Sequence, residues 1–307
     1  MKFWGISFAV CLVLITSRDV RAYDPALIAQ SINKNGYKTL RQFSKQWKVK
    51  SDVFAEDHGP YNATVVENWQ LPSGPQCCVL RINDQYQWDY QYWVFLQDNK
   101  AWKFIGARDS TCQKYSPPEQ HIVRIGKQYT YLAIREMTVT GTGVQTIEEC
   151  WYDVRANELR EVFRIPVTGY LLGWNMPFDR EYSTRIVSMS DDPTPTVDVA
   201  VSAEYTNGID SLQGLKTLFT IHRTAKYKWS SSTGRFVIDG AASQITEEGV
   251  RGLSGDGNLE FLKHNDDELK HLALSPKPVF RHWVKAFLKE CSTCQEKTSL
   301  LKLLTKS

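Results

Sequence analysis

The chain has 307 residues, 42% of them hydrophobic and 12% aromatic, with 37 Lys and Arg against 34 Asp and Glu. So much apolar and aromatic matter must be buried, which excludes a low-complexity disordered chain. One long apolar run, residues 3–15, excludes a multi-helix membrane protein. A formal net charge of +3 gives no global attraction to nucleic acid, and no cofactor motif stands out.

Residues 1–22 read as an address. Lys2 is a short positive start, Phe3–Ile15 is apolar, and Ser17–Ala22 is a polar segment ending Val-Arg-Ala. A spanning helix needs about 20 apolar residues, so the run reads as a secretory signal cleaved after Ala22 rather than as an anchor. Loss of Lys2, Arg18, Arg21 and Asp19 leaves 34 basic and 33 acidic residues, so the charge of the mature chain carries no functional message. The expected location is secreted or periplasmic. Six cysteines remain: Cys77, Cys78, Cys112, Cys150, Cys291 and Cys294. An even number behind an export signal predicts up to three disulfides. Cys77 and Cys78 are adjacent and point to opposite faces of a strand, so each is expected to pair elsewhere. Cys291-Ser-Thr-Cys294 is the leading pair.

Residues 25–50 carry a helical pattern. Tyr37, Leu40, Phe43 and Trp47 form an apolar stripe at spacings of three and four, and Lys38, Arg41, Lys45 and Lys48 form a basic stripe beside it. The apolar stripe is expected to dock on the body of the protein. The basic one is either simply solvated or makes a weak contact with an anionic surface or an acidic partner.

From Asn62 to about Ile245 the period changes to two, and Val, Ile, Thr, Tyr and Trp dominate. Four hairpins are predicted: Tyr92–Leu96 with Ala101–Ile105, His121–Ile125 with Tyr129–Ile134, Val144–Val154 with Leu159–Ile165, and Lys226–Trp229 with Arg235–Ile238. The first three turns are evenly spaced, which admits a propeller as a minority reading. The residues do not repeat with the turns, so a curled antiparallel sheet or a sandwich is preferred. The SDDPTP segment at 190–195 is the best internal break.

Helical periodicity returns after Thr246. Asn258–Leu274 has acidic residues in its middle, Phe280, Trp283, Val284, Phe287 and Leu288 form a clean stripe, and Leu300, Leu301, Leu303 and Leu304 close the chain. The organisation is therefore a signal (1–22), an N-terminal helical segment (23–58), a β-rich body (59–245) and a C-terminal helical segment (246–307). The class is α+β with a mainly antiparallel body.

The motifs for zinc proteases, P-loops, dinucleotide folds and nucleophile elbows are absent. The serine within GLSGDG, residues 252–257, lacks a strand–elbow–helix context and reads as a loop. The histidines are scattered without ligand spacing. Those flanking Asp266, Asp267 and Glu268 read as part of a solvated helix start, where carboxylates are favoured. Glu148 and Glu149 are adjacent on a strand, face opposite sides, and cannot form one acid/base pair. In the CSTC motif Cys291 follows a helix C-terminus, where the dipole has the wrong sign to activate a thiol.

Tyr86, Trp88, Tyr90 and Tyr92 alternate with polar residues, which on a strand would line one face with rings. Such a face would take a carbohydrate or a peptide; the competing reading is that the rings fill the core. Asn62-Ala63-Thr64 fits the N-glycosylation pattern. Two functions follow. The preferred one is an exported, non-catalytic binding or envelope-associated protein; the alternative is a secreted hydrolase whose acid and base come from separated strands.

Overall fold

A computed structural model describes residues 24–306 apart from positions 52, 55, 56, 58, 87, 88, 112–117, 156, 157, 173–177, 209–215 and 256. The signal-like segment, Trp88 and Cys112 lie outside the described residues. Mainly antiparallel sheets carry helices at both ends of the chain, an α+β architecture with no closed barrel.

The N-terminal helical pattern forms two helices, not one: α1 (Pro25–Asn35) and α2 (Tyr37–Gln46). Asp24 caps α1 by accepting from Ala26 N at 2.8 Å, and Pro25 occupies the first turn, where its missing N–H costs nothing. Gly36 divides the two at φ 61°, a backbone state open to glycine, and its N–H closes α1 on the Ile32 carbonyl.

Strands β1 (Asn62–Gln70), β2 (Gln76–Asn83), β3 (Asp89–Asp98) and β4 (Ala101–Thr111) form a small antiparallel sheet in sequence order. Strands β5 (Glu119–Ile125), β6 (Tyr129–Gly141), β7 (Val144–Asp153), β8 (Arg160–Leu171), β9 (Asp179–Ser190), β10 (Thr196–Thr206), β11 (Thr217–Ser230) and β12 (Arg235–Ile238) form a larger one, again as a meander. All four predicted hairpins are present. The SDDPTP segment is the turn between β9 and β10, with Thr196 paired to Ser190, so it joins neighbouring strands of one sheet. The change of sheet falls earlier, between β4 and β5. The C-terminal helices are α3 (Glu247–Gly252), α4 (Asn258–His264), α5 (Asp266–Ala273), α6 (Pro278–Glu290) and α7 (Gln295–Lys306). None of the described helices is long and apolar enough to cross a membrane.

Three cores stack these elements into four layers. Leu40 of α2 packs with Trp93 and Phe95 on the outer face of the small sheet, and Trp47 stacks on Phe104 at 4.7 Å between ring centroids. The opposite face of the small sheet, with Tyr90, Tyr92 and Val94, packs on Leu132, Ile134, Cys150 and Tyr152 of β6 and β7. The other face of the large sheet is concave, and α3–α7 cover much of it through Phe261, Leu269, Val284, Phe287 and Leu300. The curl is strong. Phe236 of β12, at the far edge of the sheet, lies 5.8 Å from Tyr131 of β6 and 5.7 Å from Phe163 of β8. Gly126, in the β5–β6 turn at φ 57°, abuts Asp191 of the β9–β10 turn so closely that a Cβ there would sit 1.7 Å from the carboxylate.

Candidate functional site

The curl brings β5 and β9 to opposite walls of a cavity of about 460 Å³, with β6, β7 and β8 as its floor. Alternation decides what points in: Glu149 and Trp151 of β7, Arg135 of β6 and Ile165 of β8 share the concave face. Arg135 lies directly opposite Glu149 across the β6–β7 ladder. The guanidinium grips Oε2 from Nη2 at 2.8 Å and from Nε at 3.2 Å. The Trp151 indole N–H donates to the other oxygen at 2.8 Å, and His121 Nε2 lies 3.9 Å from that oxygen. The Glu149 side chain is 4% exposed against 40% for Arg135 and 45% for His121. It is a buried carboxylate held by three donor contacts, with the charged partner reaching it from the water side.

On the flank of the cavity, burial raises the Glu67 carboxyl above its ordinary value while the nearby His121 works in the opposite direction. Glu119 lies 3.8 Å from Arg135. The walls are apolar, from Val123, Ile165, Val167, Ile186 and Met189; Arg124 and Arg185 border the cavity but alternate with these inward residues, on the opposite faces of β5 and β9. β8 and β9 pair only over Thr168–Leu171 and Arg180–Ser183 and then splay apart. Pro166 lies in the splayed stretch, and the Thr184 hydroxyl serves its carbonyl at 2.5 Å.

A second cavity of about 400 Å³ lies at the free edge of β8. There the charges are already spent on one another. Arg164 grips both oxygens of Glu161 and also Glu148, and Arg251 pairs with Glu247. A Ser202–His222 hydrogen bond of 3.2 Å lies on the exposed outer face of β10 and β11 and lines neither cavity. Among the described residues no group of His, Cys, Asp and Glu is arranged to hold a metal ion.

The residues singled out from sequence are distributed differently. Tyr86 is exposed in the β2–β3 turn, whereas Tyr90 and Tyr92 are buried between the two sheets, so the three do not form one open aromatic face. The physical reason is the sandwich: large rings are what fill the space between packed sheets. Cys291 and Cys294 correct the disulfide expectation. Both are free thiols, as are Cys77, Cys78 and Cys150, so no disulfide occurs among the described residues. The two sulfurs serve different helix ends. Cys291 Sγ turns back to the Phe287 carbonyl of α6 at 3.5 Å, while Cys294 Sγ accepts the Lys297 N–H at the start of α7. Lys38, Arg41 and Lys45 are exposed on α2, opposite its docked face, Lys48 is exposed in the turn after it, and Arg41 lies over the Tyr37 ring. Asn62 is exposed at the start of β1.

Glu149, Arg135 and His121 were not singled out as a site from sequence. The hint available was a charged residue at a concave-face position of a hairpin otherwise filled by Ala133 and Trp151. No protein-family model, curated protein or solved structure matches the chain. The class it defines is physical: an α+β sandwich whose larger sheet curls around a mixed polar and apolar cavity.

Proposed function

We propose that the chain is an exported, non-catalytic binding protein, secreted or periplasmic and envelope-associated, whose ligand occupies the cavity floored by Glu149 and Trp151. One observation carries the reading: a carboxylate held on three donors sits at the base of a preformed concavity with apolar walls. Recognition sites combine a few fixed polar groups with apolar walls in this way, at volumes of about 300–1,000 Å³. The rival hydrolase reading needs a carboxylate free to move a proton. Glu136, Glu148, Glu149 and Glu161 each engage an arginine, which favours binding.

Export rests on the residue order of positions 1–22, and the leader-bearing protein is expected outside the cytoplasm with Tyr23 as its first residue. The basic face of α2 is proposed as a weak contact with an anionic surface. A thermal-shift screen of small molecules on the purified protein tests the binding reading, with Ile186→Trp as the cavity-filling control. Ligands should raise the melting temperature of the wild type and leave that of the filled variant unmoved. A screen in which no compound separates the two proteins contradicts the reading.

A further inference from the structure

We infer that the cavity takes an extended peptide segment, apolar on one face and acidic on the other, added as a strand to the free edge of β5. The inference rests on the binding reading above and gives it a ligand class.

The lining carries the argument. A cavity over the face of a strand meets every second residue, because side chains alternate. This one meets four consecutive residues of β5, His121, Ile122, Val123 and Arg124, and three of β9, Thr184, Arg185 and Ile186. It therefore meets both strands edge-on. β5 is the last strand of the large sheet and pairs only with β6. Among the described residues its outer backbone N–H and C=O groups have no hydrogen-bond partner. β9 leaves β8 after Ser183, so its edge from Thr184 onward is open as well. Unpaired edge groups are a template for another strand, whose main-chain hydrogen bonds supply affinity while alternate side chains supply specificity.

The slot between the two edges selects the partner. With β9 as its opposite wall it admits an isolated strand but not the edge of a second folded sheet. Alternation then sorts the side chains of that strand. Those directed inward lie beside Val123, Ile186 and Met189, which favours apolar residues. Those directed outward neighbour Arg124 on one side and Arg185 on the other, both exposed and neither with an ion-pair partner among the described residues. Opposite charges on neighbouring strands attract, so acidic residues suit the outer face.

The test is fluorescence polarisation of the full protein with two labelled octapeptides, valine alternating with glutamate and valine alternating with lysine. The glutamate peptide should bind about tenfold or more tightly than the lysine peptide. N-methylation of one of its two alternate sets of amides should weaken it about tenfold or more, since a strand presents one set to its neighbour. In hydrogen-exchange mass spectrometry, binding should slow exchange across Glu119–Ile125, whose outer amides gain partners. Arg124→Gln with Arg185→Gln should weaken the glutamate peptide about fivefold; both positions are exposed, so the fold should survive, as circular dichroism would verify. Ile186→Trp should abolish binding of both peptides. Equal affinity for the two peptides, or binding that leaves residues 119–125 unprotected, overturns the inference, as does a dimer that protects β5 with no peptide present. Failure of both peptides overturns it too, and the binding reading then stands or falls separately, on the small-molecule screen.

Discussion

Removing one partner of the Arg135–Glu149 pair should cost different amounts depending on which partner goes. Arg135→Ala leaves the Glu149 carboxylate, 4% exposed, with the Trp151 N–H as its remaining close donor. Stranding a buried charge typically costs about 3–5 kcal/mol. Because the site opens to a cavity large enough to admit water, the low end, about 3 kcal/mol, is expected. Glu149→Gln strands Arg135 instead, but that side chain is 40% exposed and can turn toward water or Glu119. The loss is then that of a charge-assisted hydrogen bond, about 1.5–2 kcal/mol. Equilibrium unfolding in urea measures both, and the double variant closes the cycle with a coupling of about 1 kcal/mol or more. Equal costs, or Glu149→Gln costing more, would refute the assignment of Glu149 as the buried member held in place by its arginine.

Three other outcomes are expected. Burial pushes the Cys78 and Cys150 thiols up to about 12 and Cys291 to about 11, and Cys77 higher still. At pH 8 iodoacetamide should therefore label half-buried Cys294 first among these five, and peptide mapping that finds Cys77 or Cys150 labelled first in folded protein would count against the core assignment. Burial works to raise the Asp153 carboxyl, but the Arg155 fork and backbone N–H outweigh it and hold Asp153 below the ordinary carboxylate value. Its contribution is present above the unfolded value of about 3.9 and disappears as the pH falls through the folded one, so the Arg155→Ala deficit in melting temperature should be largest near neutrality and shrink in acid. Reversing Lys38, Arg41, Lys45 and Lys48 to Glu should abolish flotation with anionic liposomes and leave the melting temperature nearly unchanged, since all four are exposed; wild-type flotation that ignores salt would deny an electrostatic contact screened over about 8 Å.

Periodicity made the elements legible, but small irregularities decide the site. The α2 stripe of Leu40, Phe43 and Trp47 docks as its spacing predicts, and each predicted hairpin forms. Position 36 divides one expected helix into two because a single glycine takes φ 61°. The cavity floor was hidden for a similar reason. Counting back from the β6–β7 turn, where Gly141 faces Val144, would place Glu136 opposite Glu149. A bulge at Thr138 slips the register by one, so Arg135 faces Glu149 and Glu136 faces Glu148 instead. No pattern of hydrophobic residues announces that bulge. The curl that brings β5 to β9, and β12 over β6, is likewise a sum of twists and bulges along the sheet rather than a property of any one strand. The aromatic row left two readings open, because alternation marks a face of a strand without saying whether water or a second sheet covers it; for Tyr90 and Tyr92 it is the second sheet.

The central claim, that the curled end of the large sheet is a binding site, is tested most directly at the Trp151 indole. Its N–H is bonded to Glu149 at the cavity floor, whereas the Trp93 indole is bonded to Gln91 in the core beneath α2. In a heteronuclear correlation spectrum of protein labelled with nitrogen-15 at tryptophan, with Trp151→Phe and Trp93→Phe giving the assignments, a saturating concentration of a ligand found in the thermal-shift screen should move the Trp151 indole resonance and leave that of Trp93 in place. A bound state in which the Trp151 resonance does not move would contradict the claim.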